Sequence, residues 1–161
     1  MLITGFPAGM FQTNCYLVAD GPDSEAIIID PGQDAAPKVR ELLTEHRLTP
    51  VAIFLTHGHL DHTWNATELA DEFAIPVYIH ADDRPMLADP AMGLGRSLGP
   101  MIGDLQFREP DKVVEFTGED VELAGLRWTV DHAPGHSPGS VLLSIEVPTE
   151  AGPAPVCLAG D

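Results

Sequence analysis

Three histidines and one aspartate lie within six residues of the sequence, in the stretch 57–62 (His-Gly-His-Leu-Asp-His). This stretch directly follows an apolar run, 51–55, that is typical of a strand buried on both faces. Imidazole nitrogens and carboxylate oxygens are the ligands that Zn²⁺ and similar cations take in proteins. Because crowded imidazoles repel one another when protonated and buried polar groups need partners, the stretch predicts a metal site rather than a solvated loop.

The spacing within this stretch indicates more than one metal ion. His57 and His59 are two residues apart, so their side chains point the same way in extended chain. Asp61 and His62 come after a turn and can reach a point a few ångströms further on. Four ligands from one loop exceed the need of one tetrahedral site with an open position. We therefore expect two metals side by side, about 3.5–4 Å apart as in two-metal hydrolases.

A second group of candidates lies in the Pro- and Gly-rich stretch 131–140. His136 is the expected third ligand, and His132 is expected to support the ligands or the fold. The same stretch also fits the G-x-S-x-G pattern of serine hydrolases around Ser137. That alternative is disfavoured because Pro138 has no backbone N–H for an oxyanion hole and no histidine follows Ser137.

The elements that must position these residues follow from periodicity and turn chemistry. Apolar residues at helical spacing predict a helix over 34–48, with Asp34 as its N-cap, and a second one around 66–73. The stretch 82–88 is a candidate short helix, and Pro90 to Asp111 is expected to form a long surface loop. Short apolar or β-branched runs predict strands at 14–19, 26–29, 51–56, 76–80, 113–116, 121–123, 126–131, 140–145 and 156–159.

Composition narrows the class of protein. The 161 residues fit one domain, 1–161, with 25 acidic and 8 basic residues and a net charge of −17, which disfavours nucleic acid as a partner. The sequence contains no apolar run long enough for a membrane helix and no basic leader, so we expect a cytoplasmic protein with no membrane partner. Cys15 and Cys157 lie in apolar runs and are expected to be buried free thiols.

The stretch 57–62 resembles the H-x-H-x-D-H signature of the metallo-β-lactamase superfamily. Three further stretches occur in the family's order: 30–32 (Asp-Pro-Gly), 134–136 (Pro-Gly-His) and 160–161 (Gly-Asp). Within the superfamily the chain is most similar to short glyoxalase II-like hydrolases. Residues 14–18 resemble the first long strand of those proteins. The resemblance implies an α/β fold, the four-layer αβ/βα sandwich, with further strands and helices after the Gly-Asp pair. The chain is therefore expected to be a fragment that lacks one downstream ligand.

The resemblance also implies roles for individual residues. Two divalent metal ions are implied, with zinc expected and iron or manganese as alternatives. Asp61 is expected to orient the nucleophile as well as to bind metal. The implied ligands are His57, His59 and His136 for the first metal, Asp61 and His62 for the second, and Asp161 as a bridge between them.

The function implied by this resemblance is hydrolysis of a small-molecule thioester by a metal-bound hydroxide. Arg84, Arg96 and Arg108 are candidates to hold an acidic thiol, but the favoured interpretation is that all three are solvated surface residues. The alternative is a persulfide dioxygenase of the same superfamily, with one iron held by two histidines and a carboxylate. Lactamase activity and a non-enzymatic binding module are weaker alternatives, and the net charge disfavours a nuclease.

Overall fold

Ten strands and four helices make up the described part of the protein, residues 1–93 and 107–161 of a computed structural model. The helices are α1 (Ala36–His46), α2 (Leu60–Thr63), α3 (Ala66–Phe73) and α4 (Pro85–Ala88), and a 3₁₀ turn follows at Pro90–Met92. The strands are β1 (Leu2–Ala8), β2 (Thr13–Ala19), β3 (Glu25–Ile29), β4 (Thr49–Phe54), β5 (Val77–His80), β6 (Val113–Phe116), β7 (Val121–Leu123), β8 (Leu126–His132), β9 (Val141–Val147) and β10 (Ala154–Leu158).

The strands form two sheets. The first has six strands in the order β1-β2-β3-β4-β5-β6, antiparallel from β1 to β3 and parallel from β3 to β6. The second has four antiparallel strands in the order β10-β9-β8-β7. The helices between the parallel strands are the crossover connections that parallel pairing requires.

Three consecutive isoleucines show how the layers stack. Ile28 packs with residues of α1 and α3, whereas Ile27 and Ile29 point to the opposite face and pack with Trp128 of the second sheet. Side chains of a strand alternate between faces, so an all-apolar β3 fits a sheet that is covered on both sides. The expected sandwich of two sheets is confirmed. Within residues 1–93 and 107–161, the helices that contribute buried residues to a hydrophobic core all pack on the six-stranded sheet. One helical layer and two sheets account for three of the four expected layers.

Several local predictions were wrong, for identifiable reasons. Strand β1 was not predicted because it contains Gly5 and Pro7, which are tolerated here at a sheet edge. Asp34 is not the N-cap, because it adopts a left-handed backbone (φ 60°) and α1 begins two residues later. Cys15 is buried, but Cys157 is exposed because it faces outward from the edge strand β10, and both thiols are free.

The long loop expected from Pro90 to Asp111 begins with the 3₁₀ turn, and its segment 94–106, including Arg96, lies outside the described residues. In the described part of the chain, no helix is long and apolar enough to cross a membrane.

Candidate metal centre

The carboxyl ends of the parallel strands bring distant polar residues to one edge of the first sheet. Asp30 follows β3, His57 follows β4, and Asp83 follows β5. The loop between β8 and β9 comes to the same edge from the second sheet, where the N–H of Val141 donates to the carbonyl of Thr56 at 2.9 Å. Ligands in open α/β sheets bind at such carboxyl ends, so this edge is where a site is expected.

Three of the expected ligands converge in one group, which we call the three-histidine cluster: His57, His59 and His136. One ligand atom from each lies within 4.8 Å of the others. The closest pair is Nδ1 of His59 and Nε2 of His136, 2.8 Å apart. His57 and His136 are 79 positions apart in the sequence, and the fold brings them into one cluster.

The other three expected ligands form a second group, the mixed cluster: Asp61, His62 and Asp161. The Nε2 of His62 lies 3.5 Å from Oδ2 of Asp61 and 3.4 Å from Oδ1 of Asp161. Asp61 and His62 sit on the short helix α2, where a polar loop was expected. The hydroxyl of Thr13 donates to Oδ2 of Asp61 at 2.9 Å and so fixes the direction of that carboxylate.

Asp161 belongs to the mixed cluster and also faces the three-histidine cluster. Its Oδ1 is 3.4 Å from Nε2 of His62, and its Oδ2 is 4.0 Å from Nε2 of His136. The rings of His57 and His62 are also close, with centroids 4.1 Å apart. A carboxylate with one oxygen toward each cluster has the placement that a bridging ligand needs.

The buried aspartate Asp30 sets the orientation of His62. Its Oδ2 is 2.9 Å from Nδ1 of His62, and the same carboxylate accepts from the N–H and hydroxyl of Thr56 at 2.8 and 2.6 Å. Because a carboxylate accepts hydrogen bonds, it favours the tautomer with the proton on Nδ1. The Nε2 lone pair of His62 then faces the mixed cluster, as in metal-ligating histidines whose other nitrogen is held by a carboxylate.

Two buried ring nitrogens test whether the residues fit a metal. The Nε2 atoms of His57, His62 and His80 are buried and have no hydrogen-bond partner among residues 1–93 and 107–161. An unpaired buried polar atom is costly, and the atoms of His57 and His62 belong to the three-histidine cluster and the mixed cluster respectively. Nitrogen and oxygen donors with two such atoms fit a divalent cation of the zinc, iron or manganese type.

The electrostatics of the site favour neutral imidazoles at His57 and His59. Burial, together with the neighbouring charge of His62, lowers the pKa of His57 to about 4. Burial and the charge of His136 also lower the pKa of His59. Burial lowers the pKa of His62 as well, but the hydrogen bond and charge of Asp30, together with the charges of Asp61 and Asp161, raise that pKa overall. A neutral imidazole has the free lone pair that a metal requires.

A third group, His80, Asp82 and His132, is a poorer metal site. The rings of His80 and His132 stack at 4.1 Å with an angle of 16° between their planes, so their in-plane lone pairs cannot converge on one ion. Nδ1 of His80 already accepts from the N–H of Asp82 at 3.2 Å. The Nε2 of His132 donates to the carbonyl of Pro138 at 2.8 Å, which places His132 as a support of the loop that carries His136.

The candidate arginines for substrate binding are engaged elsewhere. Arg84 pairs with Glu109 and Glu115, and Arg108 pairs with Asp71 and Asp111. These contacts are surface ion pairs, and Arg96 lies outside the described residues. The sequence reasoning missed Asp83 and Thr13, because neither belongs to a recognised spacing and both act through contacts distant in the sequence.

Comparison with known proteins agrees with this geometry. The model of the metallo-beta-lactamase superfamily matches residues 8–149, and the chain belongs to that superfamily. The fold is its α/β sandwich, as the sequence resemblance predicted.

Individual relatives are similar over most of the chain. An uncharacterized protein of Mycobacterium tuberculosis is 47% identical over 147 residues, which cover 90% of this chain and 66% of that protein. The hydroxyacylglutathione hydrolase GloC of Haemophilus influenzae is 30% identical, over 88% of this chain and 65% of its own length. The crystal structure of BLEG-1, a B3 metallo-beta-lactamase, has a TM-score of 0.74 at 35% identity and covers 89% of this chain and 67% of that one. The chain thus spans about two thirds of the length of the curated relatives it matches.

Proposed function

We propose that this chain carries the dinuclear metal centre of a metal-dependent hydrolase that cleaves thioesters of a small thiol. The observation that carries the proposal is the pair of clusters joined by Asp161, whose two oxygens face His136 and His62. One mononuclear site would not need a second set of ligands a few ångströms away. In the proposal, His57, His59 and His136 hold one metal, Asp61 and His62 hold the other, and Asp161 contacts both.

The residues of the two clusters and their neighbours have different roles in the proposed reaction. A divalent metal held by these residues would lower the pKa of a bound water to about 7 and would polarise a carbonyl group. Asp61, held by the hydroxyl of Thr13, orients the attacking water and accepts its proton at a carboxylate oxygen. Asp30 keeps the proton of His62 on Nδ1, so that the Nε2 lone pair stays available. The water oxygen forms the new C–O bond as the C–S bond breaks, and the sulfur leaves as a thiolate with the electron pair of that C–S bond.

The substrate class is supported by one relative and by charge. A protein named hydroxyacylglutathione hydrolase is 30% identical over 88% of this chain. The net charge of −17 favours a small molecule over a nucleic acid at the centre of such a surface. Zinc is the metal we propose, since nitrogen and carboxylate donors at this ratio suit it, and iron or manganese are the alternatives.

Metal analysis combined with substrate assays tests the proposal. We expect about two equivalents of metal in purified protein, with hydrolysis of a lactoyl-thiol ester and no oxygen uptake with a persulfide. One equivalent of iron with oxygen uptake and sulfite release would instead establish the dioxygenase alternative. Faster turnover of a chromogenic cephalosporin than of the thioester would establish a lactamase, the activity named for BLEG-1.

A single substitution tests the role of Asp61. Asp61→Ala should lower turnover of the thioester by about 10²–10⁴-fold, the range for loss of a proton-transferring group. The matched control is Asp34→Ala, an exposed aspartate of the loop before α1. Unchanged turnover in Asp61→Ala, with the fold intact by circular dichroism, would remove Asp61 from the mechanism.

A further inference from the structure

The aspartate Asp83 is fully buried next to the three-histidine cluster, although it is not one of the expected ligands. It lies between β5 and α4 and has no solvent-exposed surface. A buried carboxylate is strongly unfavourable unless it is paired or hydrogen-bonded, so its partners show what it does.

Three hydrogen bonds join Asp83 to both loops that carry the cluster. Its Oδ2 accepts from the N–H of Gly58 at 2.9 Å and from the hydroxyl of Ser137 at 2.5 Å. Its Oδ1 accepts from the N–H of Gly139 at 2.7 Å. Gly58 lies between the two ligands His57 and His59, and Ser137 directly follows the third ligand.

The serine partner is itself held in a defined orientation. Because the hydroxyl of Ser137 donates to Asp83, the hydroxyl of Ser140, 2.8 Å away, must donate to Ser137. Ser140 in turn accepts from the N–H of Ser137 at 3.0 Å. The N–H and hydroxyl groups that bond within this Asp83–Ser137–Ser140 network each have an acceptor. Buried networks that are satisfied in this way rigidify the segments that they join.

Two glycines allow the close approach of these loops to Asp83. A Cβ at Gly58 would lie 2.8 Å from the carbonyl oxygen of Asp83, and one at Gly139 would lie 2.7 Å from its Cγ. Real Cβ atoms do not approach so closely, so the backbones of both loops pack directly on this residue. The glycines in the His-Gly-His and Ser-Pro-Gly stretches are therefore explained by Asp83.

We propose that Asp83 is a positioning residue that fixes the spacing of His57 and His59 relative to His136 and so sets the metal affinity of the three-histidine cluster. The inference rests on the proposed function, since it concerns the same metal centre. Within residues 1–93 and 107–161, the Asp83 carboxylate makes no hydrogen bond to a side chain of either cluster; its partners are backbone N–H groups and the serine beside the expected ligands. The mixed cluster is held by separate contacts to Asp30 and Thr13, so Asp83 acts on one cluster only.

Titration with cobalt(II) tests this inference without relying on turnover. Asp83→Asn keeps the size of the side chain but replaces one acceptor oxygen with an NH₂ group. In either orientation of the amide, this NH₂ group faces the backbone N–H of Gly58 or of Gly139, so two donors meet and one hydrogen bond is lost. We expect cobalt affinity at the three-histidine cluster to fall about 10–100-fold, the usual effect of losing a partner outside the ligand shell. The visible d–d absorption of that cluster should change as well, and the affinity of the mixed cluster should be retained.

Control variants separate the possible outcomes. His59→Ala and Asp61→Ala each remove one ligand and so assign the two cobalt signals. Asp34→Asn alters an exposed aspartate that belongs to none of the three groups and should leave both signals unchanged. Ser137→Ala removes only one of the three hydrogen bonds and should give a smaller loss of affinity in the same direction, which keeps the test usable where Asp83→Asn does not fold.

Two results would overturn the inference in different ways. Equal weakening of both clusters, or a lower unfolding temperature with unchanged cobalt affinity and spectrum, would make Asp83 a general structural residue. No cobalt binding by either cluster of the unmodified protein would instead refute the proposed metal centre, on which the inference rests.

Discussion

Replacing Asp30 with alanine should destabilise the metal-free protein strongly. Asp30 is buried, and its carboxylate accepts from the N–H and hydroxyl of Thr56 at 2.8 and 2.6 Å and lies 2.9 Å from Nδ1 of His62. The hydroxyl of Thr56 has a second possible acceptor, Nδ1 of His57, 3.1 Å away. Two N–H donors are then left without a partner in a buried site.

The size of the effect follows from these two donors. A buried donor without an acceptor costs about 1–3 kcal/mol, so the free energy of unfolding should fall by about 2–6 kcal/mol. With a denaturant slope near 2 kcal/mol per M, the urea midpoint should fall by about 1–3 M. The unfolding curve should be measured in the presence of a chelator, because a bound metal would add its own stabilisation to the folded state.

A matched control separates the hydrogen bonds from the backbone effect. Asp30 and Asp34 both have a left-handed backbone, with φ of 48° and 60°, a conformation that alanine adopts less readily than aspartate. Asp34→Ala removes an exposed carboxylate at such a position, so the difference between the two midpoints reports the buried hydrogen bonds. Equal midpoints for the two variants would refute the reasoning, because the buried contacts would then contribute nothing.

Three further predictions concern the core, the metal and the thiols. Trp128→Ala empties a fully buried position between the sheets and should lower the free energy of unfolding in urea by about 3–5 kcal/mol. A much smaller loss would contradict this, because the core would then collapse around the gap. Zinc at a hundredfold excess over its Kd should stabilise the protein by about 2.7 kcal/mol, and His57→Ala should lose most of that gain in thermal unfolding; an undiminished gain would place the zinc elsewhere. A thiol-alkylating reagent should modify the exposed Cys157 and spare Cys15, because burial raises the pKa of the Cys15 thiol; mass spectrometry that finds both modified in the native state would contradict this.

The sequence was most informative where function requires a fixed spacing. His57, His59, Asp61 and His62 could be chosen as ligands because four metal-binding side chains in six residues have few other uses. Their separation into two clusters follows from α2, which turns Asp61 and His62 away from the extended pair. Such a short helix leaves too little periodicity to be read from sequence.

Contacts between distant segments were beyond the sequence. Asp83 lies 54 residues before Ser137 and 25 after Gly58, and only the meeting of β4, β5 and the loop after β8 brings the three together. Strand β1 was not predicted because it contains a glycine and a proline, which a strand at the edge of a sheet tolerates. The position of a strand in its sheet is a tertiary property, so propensity alone could not reveal it.

The three isoleucines of β3 have a consequence for how the first sheet is aligned. A slip of β3 by one residue along β4 would exchange one isoleucine for another on each face, so hydrophobicity alone does not select the native alignment. The polar group at the end of the strand can select it. The N–H of Asp30 donates to the carbonyl of Phe54 at 3.2 Å and its carboxylate accepts from Thr56, and a slipped strand would break both contacts. Asp30, which orients His62, thus also fixes the register of β3 and with it which isoleucine faces the helices.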